Sequence, residues 1–194
     1  MSSVPQHLRD LVPEGLLCPL GPGSPNESLR PKLAALKPES LFDGQKIVDE
    51  SAARCCLAAV WLLHDFLDES HAISQEIETV DGSYWHGILH RREPDYGNAK
   101  YWFRRVGQHP IFELLATAAR ELVEAATEKL PQNMTYLREQ TSWDPYRFID
   151  LCEALASRKS ADESAELLAR RIARAEWDLL FEHCALQVIG SHSL

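Results

Sequence analysis

From Cys55 to Leu63 the chain reads CCLAAVWLL, an apolar run without interruption. The run lies inside a longer pattern in which Val48, Ala52, Cys55, Ala59, Leu62 and Phe66 alternate between spacings of four and three, the signature of one helical face. A helix that is apolar all round offers water no face, so other elements must wrap it. The run is too short to cross a bilayer, and Arg54 and the His64-Asp65 pair flank it. The expectation is therefore a buried central helix in a water-facing bundle.

The rest of the chain from Gly44 supplies the wrapping. A helix is predicted over 81–93, stopped by Pro94, and a shorter one over 98–106, closed by Gly107. Pro110 opens a helix to about Lys129 with Ile111, Leu114, Leu115, Ala118 and Leu122 as its stripe. Leu130 to Trp143 reads as a polar connection with room for one helical turn. Asp144-Pro145 caps a helix through Ala156, and the capping box Ser160-Ala-Asp-Glu163 starts a last one to about Val188. The stripe of that helix includes His183 as well as Leu168, Ile172 and Leu179. No stretch alternates strictly, so no strand is expected. The fold class is all-α, an irregular multi-helix bundle.

The first 43 residues differ. Seven of the eleven prolines fall there, and Leu20-Gly-Pro-Gly-Ser-Pro-Asn26 excludes regular structure. Leu16, Leu17, Leu20, Leu33, Leu36, Leu41 and Phe42 are apolar anchors within it. Residues 1–43 thus read as a proline-rich arm packed on a helical domain spanning 44–194.

A formal charge of −9 argues against a general nucleic-acid binder, whose field is basic. Met1 to Leu20 has no continuous apolar segment of the secretory type, and no stretch reads as a membrane span. The five cysteines are odd in number with no CxxC spacing, which points to free thiols in a reducing, cytoplasmic setting. Cys55 and Cys56 sit in apolar surroundings that raise a thiol pKa and disfavour nucleophilic use.

Against this background one segment stands apart: SYWHGILHRREPDYGNAKYWFRRVGQHP, residues 83–110. On a helix His86 and His90 share a face, and Glu93 continues it one turn on. Two imidazoles and a carboxylate are three ligands for a divalent metal such as zinc, iron or nickel. His109 joins His86 and His90 as a candidate for proton transfer. Arg91, Arg92, Lys100, Arg104 and Arg105 make a positive island among Trp85, Tyr101 and other aromatics, suited to a small anionic ligand. The His64-Asp65 pair matches one element of the helical phosphohydrolases that carry an HD pair, but its only upstream histidine is His7, in the arm. No nucleophile elbow, P-loop or dinucleotide fingerprint is present, so any catalysis would use metal, histidine or carboxylate chemistry.

The segment YWHGILHRREPDYGNAKYWFRRVGQHP resembles the signature of a family of uncharacterised bacterial and fungal proteins, YWHGIxHRREPDxxNAKYWFRRVGxHP. The resemblance covers Tyr84 to Pro110 and implies that this segment is what the family shares. It implies no activity, cofactor or substrate. Three readings stay open: an anion-binding and catalytic pocket, a metal-dependent hydrolase using His86 and His90, and a polar structural core in a protein that acts through a partner surface. The first places the histidines and arginines around one cleft; the last has carboxylates consume the arginines.

Overall fold

Asp49 opens the central helix: its side chain accepts from the Ala52 amide at 2.9 Å, so the helix starts at Glu50. A computed structural model describes residue 8 and residues 10–126, 131–156 and 163–190. Among them the chain is helical and contains no strand. The helices are α1 (Arg30–Ala34), α2 (Pro38–Leu41), α3 (Glu50–Leu63), α4 (Leu67–Ser74), α5 (Val80–Arg92), α6 (Tyr96–Val106), α7 (Phe112–Glu124), α8 (Pro145–Ala156) and α9 (Glu163–Val188), with a 3-10 segment over Gln132–Arg138. None is long and apolar enough to cross a membrane.

The apolar run of α3 is enclosed as its composition demands, by α2, α4, α5 and α9. Trp177 of α9 donates its indole N–H to the Ala59 carbonyl at 3.0 Å, and its ring stacks on Phe181. Val48, expected on the buried face, is 65% exposed, because the Asp49 cap starts the helix after it. Phe66 is buried as expected, yet not on the same helix. Asp65 takes a left-handed conformation with φ of 63°, ends α3 and lets α4 begin.

Two further patterns are shifted. Helix α7 starts at Phe112 and buries Phe112, Leu115, Ala116, Ala119 and Val123, which leaves Leu114 exposed. Of the connection before α8, Met134, Tyr136, Leu137 and Trp143 are buried, so this segment is part of the core rather than a polar link. The expected helix end at Lys129 and the capping residues 160–162 lie outside the described residues.

Leu8, Leu11, Val12, Leu20, Leu33, Leu41 and Phe42 join the same core as the later helices. Side chains of the body hold the arm by its backbone. Arg170 donates to the Leu17 and Cys18 carbonyls, Arg174 to those of Pro13 and Leu16, and Arg92 to that of Gly21. Such bonds satisfy carbonyls that a proline-rich stretch cannot pair in a helix.

Candidate metal centre

Helix α5 carries the candidate residues because it is buried along nearly its whole length, polar groups included. Thr79 caps it, accepting from the Gly82 amide at 3.0 Å. Close approach by its neighbours depends on glycine. A Cβ on Gly87 would stand 2.8 Å from Phe103, so only glycine lets α6 lie this near α5. That approach brings α6 side chains over His86 and His90.

His86 and His90 do share a face, their ring centroids 4.6 Å apart. The third member is His71, in the last turn of α4, which the sequence reading did not single out. His71 Nε2 lies 3.1 Å from His86 Nε2, and its ring is 5.3 Å from that of His90. One nitrogen from each of the three lies within 4.8 Å of the other two. Two nitrogens bound to one tetrahedral zinc at the usual bond length stand about 3.3 Å apart, so this spacing suits a shared cation.

Glu93, expected as a ligand, is not in this set. Its Oε2 lies 3.0 Å from His90 Nδ1, behind the ring. The cause is its place as the residue capping α5, where the backbone turns and the side chain folds back onto the preceding turn. A carboxylate there orients the imidazole and raises its basicity, the usual outer partner of a ligating histidine. Trp102 stacks on His86, with centroids 4.1 Å apart and planes 20° from parallel. His86 is buried, and its Nδ1 makes no hydrogen bond of normal geometry. Burial, then the neighbouring His90 and His71, push its pKa down to about 4. Burial also lowers His90, against the pull of Glu93. Both rings are therefore neutral near pH 7 and offer lone pairs, the form that a metal needs.

His109 does not join them. It belongs to a second cluster with Asp81 and His183. Its Nε2 lies 2.7 Å from Asp81 Oδ1, while the Ile111 amide donates to its Nδ1 at 3.3 Å. His183 Nε2 is 3.4 Å from the same carboxylate oxygen. Burial alone would raise Asp81, but hydrogen bonds from His109 and His183 hold it well below the usual carboxylate range. The same hydrogen bond raises His183, against the effect of burial. The Ile111 contact fixes the His109 tautomer: Nδ1 accepts, so Nε2 carries the hydrogen and gives it to Asp81. A metal on Nε2 would move that hydrogen to Nδ1, where the Ile111 N–H already points.

The expected anion-binding residues divide. Arg91 pairs with Glu176, and Tyr84 donates to the other oxygen of that carboxylate at 3.1 Å. Arg92 pairs with Asp65, and Lys100 with Asp150. Trp85 is a core residue, 5.9 Å from Trp177. Exposed Arg104 and Arg105 lie over Tyr101 and Trp102 and make no ion pair among the described residues. The His64-Asp65 pair is committed too: His64 Nε2 lies 2.7 Å from the Leu11 carbonyl, fastening the arm. Comparison with protein-family models, curated proteins and solved structures returned no match for this chain.

Proposed function

We propose that this chain is a divalent-metal-binding domain, with His71, His86 and His90 as ligands and Glu93 as the carboxylate that orients His90. The observation that carries the reading is the meeting of three imidazole nitrogens within 4.8 Å, with no carboxylate in the set to satisfy them. One hydrogen shared between the His71 and His86 Nε2 atoms, and an Asn98 N–H on His90 Nε2, are the contacts made here; a cation would take the lone pairs of all three rings at once. Zinc, iron and nickel are the candidates by ligand type. Three neutral ligands leave the ion its full charge, which lowers the pKa of a bound water, so the reaction class best supported is metal-assisted hydrolysis.

Arg104 and Arg105, without an ion pair among the described residues and lying over aromatics that adjoin His86 through Trp102, favour a small anionic molecule as the substrate. The five free cysteines, four of them buried, support a reducing, cytoplasmic setting. Isothermal titration of chelator-stripped protein with zinc tests the reading. One equivalent should bind the wild type, and the His86→Ala, His90→Ala double variant should give a flat trace. Equal uptake by both would remove the proposal.

A further inference from the structure

We propose that Asn98 is a fourth protein ligand, through its side-chain carbonyl oxygen, and that its amide turns over when the metal enters. The inference rests on the three-histidine centre above. Asn98 is the third residue of α6, and its backbone amide donates to Asp95 Oδ1 at 3.2 Å, which fixes its place in the first turn. Its side-chain Nδ2 stands 3.1 Å from His90 Nε2.

The hydrogen inventory sets what that contact means. Glu93 Oε2, an acceptor only, lies 3.0 Å from His90 Nδ1 but out of line for a hydrogen bond of normal geometry, and the Asn98 amide nitrogen faces Nε2; the neutral tautomer that suits both neighbours carries its hydrogen on Nδ1. Nε2 is then a bare lone pair, and Asn98 donates to it. A metal on Nε2 takes that same lone pair, which leaves an amide N–H aimed at a cation. A half-turn of the carboxamide exchanges nitrogen for oxygen at almost the same position. With a metal on the lone-pair axis the oxygen has to stand to its side, and a separation from Nε2 near the present 3.1 Å then matches the ~3.3 Å between two ligands of one tetrahedral ion. The amide oxygen is a ligand; the amide nitrogen is not.

Two consequences follow for the centre. The metal ties α4, α5 and α6 together, because Asn98 comes from a helix that none of the histidines occupies. The neutral set of three nitrogens and one hard oxygen suits iron(II), cobalt(II), manganese(II) or zinc, and disfavours copper(I), which seeks sulfur. A fifth position remains for water in a centre that expands from four ligands.

Cobalt(II) reports coordination through its visible spectrum. Stripped wild-type protein, Asn98→Ala, Asn98→Asp and His86→Ala would each be titrated with cobalt(II) chloride. Asn98→Ala should bind about 10–100-fold more weakly, with an altered visible band. Asn98→Asp, which retains an oxygen, should bind as tightly as wild type or tighter, a rescue that lost packing would not produce. Loss of binding in His86→Ala, with affinity and spectrum unchanged in Asn98→Ala, would overturn this inference alone. A wild-type protein that takes up no cobalt would overturn it together with the three-histidine reading.

Discussion

Helix α5 has a cluster of imidazoles near each end, and the two are built on opposite logic. Near its start, His109 and His183 both turn to Asp81, with the nearer nitrogen at 2.7 Å. His109 Nε2 has its acceptor in Asp81 and the Ile111 amide dictates its tautomer, while His183 Nε2 lies between Asp81 at 3.4 Å and the Gln187 amide at 2.7 Å. In its second half, His71, His86 and His90 meet without a carboxylate between them, while Glu93 stands behind one ring. A satisfied cluster is a staple between distant helices. The second cluster is held by an imidazole–imidazole contact and the Asn98 amide, neutral groups whose place on the lone pairs a cation would take. Counting ligating residues alone makes the two look alike; following each hydrogen separates them.

The largest separation between them should appear on deletion. Asp81→Ala leaves the buried His109 and the half-buried His183 without this carboxylate and should cost about 3 kcal/mol in urea unfolding of metal-free protein. His71→Ala relieves a crowded trio and should cost under about 1 kcal/mol in the same assay. Equal costs would erase the distinction.

Zinc should act on one cluster only. At about a hundredfold excess over Kd it should add about 2.7 kcal/mol to the unfolding free energy of wild type. His109→Gln should keep that increment, and His71→Ala should lose it. An increment that follows His109 instead would reverse the assignment.

Glu93→Gln should weaken zinc about tenfold, near 1.4 kcal/mol, as removal of an orienting carboxylate does. Titration calorimetry reads this directly. No change would mean that Glu93 caps the helix and nothing more.

The pH dependence of metal-free stability differs in sign between the clusters. His183 is raised in the folded state, so its contribution is complete below the unfolded value of about 6.5 and fades as pH rises through the folded one. His86 is lowered to about 4, so the unfolded chain binds more protons between there and 6.5. Its contribution therefore grows as pH rises through that window. Unfolding curves of His183→Gln and His86→Gln against wild type should show opposite pH slopes in these differences.

Much of this was legible in the residues. The helical periods, the apolar α3 run and the His86–His90 spacing depend on neighbours within two turns, which sequence displays. His71 escaped because it arrives on α4, a short helix of mixed polarity that follows the left-handed turn at Asp65. Nothing local says that this turn folds α4 against α5. Glu176 escaped for a similar reason: it sits in a charged stretch of α9 and is fully buried only because Arg91 and Tyr84 lie opposite. The arginines that suit an anion pocket by sequence are divided by what lies across from them. Arg91 and Arg92 met carboxylates, whereas Arg104 and Arg105 met aromatic rings.

The most direct test is the metal content of untagged, purified protein by plasma mass spectrometry, for wild type, His71→Ala and His109→Ala. The account predicts close to one equivalent of a first-row divalent metal in wild type and His109→Ala, and none in His71→Ala. A metal-free wild type, or metal kept by His71→Ala and lost from His109→Ala, would contradict it.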